Sequence, residues 1–425
     1  MRRSAVSAGA RELLRRRLAA QWLAPSGAPP SGADGSAGVA AGAAADAVAA
    51  TARHLLATQA QDFGQGVWAL GARVPGSTRR DVFAALDRAS VVRSWPMRGT
   101  LHLIDPDDLR ALLSLTARRT VSGAGARHRA LGIDEPTVAR AADVARGLLA
   151  GGGRATREQF TTALAEAGLE PSGQRGMHLI WLLAHEGLVC WGPLAGDSGQ
   201  QALVLLDEWA PATREQSPED ALDELLLRYI RGHGPTTLKD FCWWTKLLVS
   251  DSTAALGRIR DRLEEIDLGL ETPFLVEAGS GSGSGAAGSG TAEAGAGSGT
   301  AEAGAESGTG TADDPRRSDA QLALPGFDEY LLGYRSRSPA LAPEHSARVV
   351  PGENGMFLPM LVSRGRIVGT WKRRIGAKAM TVSPEPFEAL PATEQRGFER
   401  ALRRYADFLE LPATFAPWPS AAADE

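Results

Sequence analysis

Two glutamines separated by one alanine, Gln59 and Gln61, stand where the sequence gives little reason to expect amides. Val48, Ala52, Leu55 and Leu56 form the apolar stripe of a helix expected over residues 45–58, and Gln59 continues that stripe at i+4 from Leu55. An amide thus falls where an aliphatic side chain belongs. In an unbroken helix Gln61 would be turned by about 200° from Gln59 and could not share a pocket with it. In extended backbone residues i and i+2 face the same side, and Gly64 and Gly66 just downstream favour unwinding. Each amide offers a carbonyl acceptor and an NH2 donor. A converging pair can fix a water molecule and orient its lone pair without being a strong base. That suits a reaction whose leaving group is already activated, and suits poorly the hydrolysis of an unactivated bond, which normally recruits a carboxylate or histidine. The alternative is a satisfied amide pair that caps a helix end and does no chemistry.

A second constellation is Trp95-Pro-Met-Arg-Gly-Thr-Leu-His102, two extended segments meeting at Arg98 and Gly99. From such a turn Arg98 can meet a phosphate. Thr100 and His102 share one strand face, opposite Leu101 and Leu103, where His102 reads either as a site residue or as a hydrogen-bonded, half-buried strand histidine. Downstream, Phe327 to Arg337 mixes acids with aromatics and ends in Arg335 and Arg337, and Lys372, Arg373 and Arg374 follow Trp371. These cations are candidates for phosphate contacts on a shared surface, or else a solvated loop and charge run. The chain has no zinc spacing, P-loop or Gly-x-Ser-x-Gly elbow. No cofactor or metal is expected.

The elements that would position these residues recur three times as helices followed by paired short strands. The first unit, residues 1–122, has helices near 8–22, 45–58 and 77–88 before the extended pair 91–96 and 99–104. The second, residues 123–212, contains a helix opened by the capping pattern of Thr156 and Gln159, a helix from Gln174 to Glu186, and strands 188–191 and 202–206. The third, residues 213–277, has helices 218–231, 236–246 and 250–263 and extended segments around 266–271 and 273–277. Helices followed by a hairpin is the winged-helix order. Residues 321–412 read as a β-rich domain, with a hairpin of 356–362 and 367–371 and a closing helix from Thr393 to Leu409; a tail, 413–425, follows. The fold class expected is mainly α with small β-hairpins (α+β), tandem winged helices followed by a C-terminal β-barrel-like domain.

Residues 25–44 and 278–312 hold almost only small and polar residues, too little apolar surface to offset chain entropy. The second stretch carries a tandem copy, 288–296 and 297–305, and residues 278–320 are expected to be a disordered linker. The formal net charge of −4 argues at first against a nucleic-acid partner. Yet the stretch from Glu277 to Asp314 holds six acidic and no basic residues, and without it 46 basic face 44 acidic side chains. A basic groove is therefore permitted. Cys190 and Cys242 both lie in aromatic surroundings typical of buried thiols, and no disulfide framework follows. Arginines at 11, 15, 16 and 17 interrupt any signal-peptide core, and no apolar run reaches membrane-span length. A cytoplasmic monomer is expected.

Gln59-Ala-Gln-Asp62, Trp95-x-x-Arg-Gly-Thr-Leu-His102, Pro235-Thr-Thr-x-x-Asp-Phe-x-Trp-Trp244, Asp328-Glu-Tyr-Leu-Leu-Gly-Tyr334, Asn354-Gly-Met-Phe357 and Val368-Gly-Thr-Trp371 together resemble the winged-helix DNA glycosylases of the AlkZ type. The match runs in order from about residue 8 to residue 410 and skips only the two low-complexity inserts. The resemblance implies tandem winged helices and a C-terminal β-barrel forming a concave surface for double-stranded DNA. It also implies release of alkylated purines, and in some members the unhooking of interstrand crosslinks. Gln59 and Gln61 match that family's paired-glutamine catalytic motif, where a sister branch carries Gln-x-Asp. The hairpin from Arg98 to His102 corresponds to the element placed against DNA, and Asp62 is read as structural. A purine alkylated at N7 is cationic and leaves readily, so neutral amides that hold water suffice. The reading from a different class is a winged-helix protein that binds DNA without catalysis, as a regulator or lesion sensor.

Overall fold

In the computed structural model, residues 7–24, 41–196, 200–279, 321–353 and 355–419 are described. The expected linker from 280 to 320, residues 25–40 of the first insert, and Asn354 lie outside them. The chain opens with helix α1 (Ala8–Ala20). The first winged helix follows as α2 (Ala41–Leu55), β1 (Ala57–Gln59), α3 (Phe63–Gly71), α4 (Arg79–Asp87), β2 (Val92–Met97) and β3 (Thr100–Ile104). Three expectations are corrected here. Residues 41–44, assigned by composition to the insert, begin α2. Helix α2 stops at Leu55 instead of running to 58. Helix α3 was not foreseen, although Asp62 opens it by accepting from the Gln65 N–H at 3.2 Å.

Helices α5 (Pro106–Gly123) and α6 (Gly125–Ala130) lead to the second unit. It comprises α7 (Glu135–Leu149), α8 (Arg157–Glu166), α9 (Arg175–His185), β4 (Val189–Leu194), β5 (Gln201–Leu205) and the short α10 (Leu206–Trp209). The capping box of Thr156 and Gln159 opens α8 as the sequence predicts. The third unit is α11 (Pro218–His233), α12 (Leu238–Thr245), α13 (Val249–Arg258), β6 (Leu263–Ile266) and β7 (Phe274–Glu277), its first strand lying earlier than expected. In both later units the counterpart of β1 shrinks to a single bridge, Ala155 to Leu203 and Thr236 to Leu275.

The C-terminal domain holds β8 (Gln321–Leu324), α14 (Glu329–Leu332), α15 (Ser346–Val349), β9 (Met360–Ser363), β10 (Arg366–Ile375), β11 (Met380–Pro386), α16 (Ala392–Leu409) and β12 (Ala413–Phe415). Its strands run β12-β11-β10-β9-β8 in an open half-barrel sheet, and β12 comes from the segment expected to be a tail. The β9–β10 hairpin turns at Arg364 and Gly365, both with positive φ, as its glycine suggests.

Two packing features position the site. First, the hairpins of units one and two join through Arg93 opposite Trp191, giving one sheet of order β1-β3-β2-β4-β5. The β2–β3 hairpin is therefore no freely projecting wing. Val92, Met97 and Ile104 enter the core shared with the third unit, and Trp95 and Leu101 enter the core of the second. Second, the acids of the Asp328–Tyr334 stretch are spent on clamping the C-terminal domain. Asp328, fully buried, accepts two hydrogen bonds from the Arg73 guanidinium at 2.9 Å each. The carboxylate of Glu329, also fully buried, accepts from the Trp244 indole N–H at 2.8 Å. Helix α1 joins the same clamp, with Gln21 donating to the Tyr334 hydroxyl and the Glu329 carbonyl.

Candidate active site

Helix α2 ends because Leu56 turns left-handed, with φ of 67°. That conformation is uncommon for a residue with a branched side chain, and complete burial of Leu56 and Ala57 against the third unit holds it. The chain then runs extended, with Ala57 opposite Ile104, Thr58 opposite Leu103 and Gln59 opposite His102. Gln59 and His102 consequently share one sheet face. Unwinding thus occurs before both glutamines, at a leucine instead of at the downstream glycines. At the strand end the ladder changes hands. The Ala60 N–H donates to the Leu101 carbonyl at 2.7 Å. A regular ladder would return the Leu101 N–H to the Ala60 carbonyl, but that carbonyl accepts from Arg93 Nε at 2.9 Å. The Gln61 side-chain Oε1 accepts the Leu101 N–H instead, at 3.2 Å.

The two amides are therefore unlike. Gln61 is exposed, yet its carbonyl is committed to the framework, leaving the NH2 group to act outward. Gln59 is 8% exposed, and its side chain makes no hydrogen bond to the described residues. Asp62 is tied up as the cap of α3.

Arg98 occupies the hairpin turn as expected, with Arg98 and Gly99 both at positive φ. Its side chain, however, folds back along the hairpin instead of extending from it, and donates from NH2 to His102 Nε2 at 3.0 Å. His102 Nδ1 lies 2.9 Å from the Thr100 carbonyl, an acceptor only, so the ring carries its proton on Nδ1 and accepts at Nε2. His102 is fully buried, not half-buried as expected, because the hairpin is enclosed by neighbouring cores. Burial, and then the Arg98 charge, push its pKa well below the usual histidine range. It is a neutral ring with both nitrogens engaged, an anchor for Arg98. The Thr100 hydroxyl and Arg98 Nε are buried without partners.

Beside Gln61 opens a cleft of about 560 Å³ between the first two units, lined by Phe63, Arg93, Trp95 and Leu101 on one side and Arg157, Met177, Trp191 and Gln201 on the other. Burial pushes the Arg93 guanidinium down to about 10, and it donates to Gln201 Oε1 at 3.0 Å. Sequence reasoning missed Phe63, Arg93 and Gln201, since only the joining of the two hairpins brings them together.

The downstream cations divide. Arg335 is exposed, and its backbone N–H donates to Asp240. Arg337 lies over the rings of Trp243 and Phe357, 5.1 and 4.8 Å from their centroids. Lys372 is ion-paired to Glu385 at 2.6 Å and its side chain stays largely exposed. Arg373 leans on Trp371 and Tyr405. Cys190 is buried and pushed up to about 12, but Cys242 is only half-buried, because its face of α12 is incompletely covered.

Tandem winged helices joined through their hairpins, with an amide-bearing strand at the sheet edge, define an α+β protein of the DNA-binding winged-helix class. The model of the DNA glycosylase AlkZ-like family matches residues 52–408, and the chain belongs to that family. It is thus a DNA glycosylase, a hydrolase of N-glycosyl bonds. A curated relative, an interstrand DNA cross-link repair glycosylase of Streptomyces sahachiroi, is 26% identical over 348 residues, covering 80% of this chain and 85% of that protein. The solved structure of Streptomyces sahachiroi DNA glycosylase AlkZ matches with a TM-score of 0.67 at 24% identity, over 96% of this chain and 99% of that one. No helix among the described residues is long and apolar enough to cross a membrane.

Proposed function

We propose that this glycosylase hydrolyses the N-glycosidic bond of N7-alkylated purines in double-stranded DNA, including those tied into interstrand crosslinks, as the name of its curated relative suggests. In this reading it works as a cytoplasmic monomer. Gln59 and Gln61 hold the attacking water, Gln61 as an oriented donor and Gln59 as an uncommitted donor and acceptor. The observation that carries the reading is the Gln59 side chain, largely covered yet with an amide that reaches solvent and makes no hydrogen bond to the described residues, at the same strand end as the fixed Gln61. An amide that touches solvent and is not tied to the framework is available to hold a water or a ligand.

The surroundings point the same way. The nearby carboxylate, Asp62, caps a helix, and the nearby imidazole, His102, stays neutral with both nitrogens occupied. Neither group is free to act as a strong general base. A cationic purine needs none, because bond cleavage is driven by its own charge, and the enzyme must chiefly place water and stabilise the positive sugar. The cleft lined by Trp95 and Trp191 gives aromatic walls beside Gln61 for a displaced base or bulky adduct.

Duplexes containing N7-methylguanine or a nitrogen-mustard crosslink should yield free base and abasic sites, and the crosslinked duplex should become separable under denaturing conditions. Absence of base release from every alkylated duplex tested would overturn the proposal.

A further inference from the structure

Four cations from four separate segments gather at the turn of the β2–β3 hairpin. Arg98, Arg119 of α5 and Lys246 at the end of α12 line a cavity of about 250 Å³, roofed by Leu115, Thr116 and Leu247. Arg337 lies beside them. It shares the Trp243 ring with Lys246, whose Nζ is 4.9 Å from the ring centroid. Lys246 takes a left-handed conformation as the C-cap of α12, which brings its ammonium to the negative end of that helix.

None of the four forms an ion pair with a carboxylate among the described residues. Arg119 donates to the Lys246 carbonyl at 3.2 Å and Arg98 to a neutral imidazole. Nε of Arg98 and Nε of Arg337 are buried with no partner. Three other buried arginines are paired, Arg17 with Asp240, Arg73 with Asp328 and Arg228 with Asp108, while Arg93 and Arg404 donate to carbonyl and amide oxygens. The acid whose charge reaches Arg98 is the buried Glu329, whose Oε2 accepts from Trp244 and whose Oε1 has no hydrogen-bond partner among the described residues, and it forms no ion pair with Arg98. The ammonium of Lys246 is pushed down by burial and then by Arg98 and Arg337, and the guanidinium of Arg337 by burial and then by Arg98. Convergent positive charge around a hollow, with unused donors and no carboxylate in ion-pair contact, calls for an anion.

We infer that this cavity is a phosphate site that seats one phosphodiester of the DNA backbone and so fixes the end of the hairpin against the duplex. Its size, about eight water volumes, admits a phosphate with its flanking ester carbons. Arg119 supplies directional donors and Lys246 a point charge. The inference rests on the chain acting on duplex DNA. It does not depend on which lesion is removed or on the roles of Gln59 and Gln61. Seated at the Arg98 turn, four residues from the histidine that faces Gln59, the phosphate would set the register of the strand that carries the amides.

The test is a salt titration of binding to an undamaged duplex by wild type, Arg119→Gln, Lys246→Gln, the double variant and Lys246→Arg, each checked for an unchanged melting temperature. Loss of one phosphate contact should lower the slope of log affinity against log salt by about 0.9 and weaken binding about fivefold at ~0.15 M salt, whatever the sequence. Lys246→Arg should restore most of it. An unchanged slope and affinity in a folded double variant would overturn the assignment. So would a rise in melting temperature with millimolar inorganic phosphate that the double variant loses while duplex affinity is kept, since the ligand would then be free phosphate. Because undamaged duplex is used, the result stands apart from any failure of base release.

Discussion

Replacing Gln59 and Gln61 separately by alanine should split chemistry from framework. Gln61→Ala removes the acceptor of the Leu101 N–H, and the backbone carbonyl that could replace it is held by Arg93. A stranded N–H costs about 1–3 kcal/mol. Because Gln61 is exposed, water can enter and the loss should fall at the lower end, about 1 kcal/mol. Gln59→Ala removes no hydrogen bond to the described residues. It loses one partly buried methylene, about 0.8 kcal/mol at most, and regains side-chain entropy of up to about 1.5 kcal/mol, so stability should hardly change. Both variants lose a group that holds the water, and each should slow single-turnover release of N7-methylguanine by roughly a hundredfold. Affinity for undamaged duplex should stay the same. Gln61→Glu keeps an acceptor for Leu101 and should recover stability without recovering rate. Urea midpoints at constant m-value and single-turnover rates measure the two quantities. Full base release by Gln59→Ala, or a larger stability loss for Gln59→Ala than for Gln61→Ala, would refute the division of labour.

The clamp between the first unit and the C-terminal domain should be costly to break from one side. Arg73→Ala leaves Asp328 charged and buried and should destabilise by about 3–5 kcal/mol in denaturant titrations; a loss below about 1 kcal/mol would show that the pair is not what fixes the domain. Acid should weaken the fold through His54 and His102. Burial lowers His54 to about 4 and His102 well below its usual value of 6.5, so both bind the proton more weakly folded than unfolded. Their contribution is whole above about pH 6.5 and is lost as pH falls below it, at about 1.4 kcal/mol per pH unit for each. His54→Gln should flatten the slope of stability against pH between about 6 and 4.

Much of the scaffold is written locally. Three recurrences of helices and a hairpin, the capping box at Thr156 and Gln159, the turn at Arg98 and Gly99, and α16 all follow from spacing, caps and turn residues that act over a few positions. Strand β11 does not. Pro384 and Pro386 mark it as a loop, and pairing with β10 on one side and β12 on the other makes it a strand. The same boundary runs through the site. The sequence alone determined that two amides lie next to a hairpin and that they could act together only if the helix unwound. Tertiary packing decided where it unwinds, because a left-handed leucine persists only when buried against a distant unit. It also decided which amide is free, because Arg93 takes the Ala60 carbonyl and so obliges Gln61 to serve Leu101. Arg98 was assigned to the tip by its turn and turned inward by His102, and Lys372 found Glu385 across the sheet. Spacing along a chain fixes which residues are neighbours in a helix or strand. Which hydrogen-bond partner each finally takes is settled by competition among groups far apart in sequence.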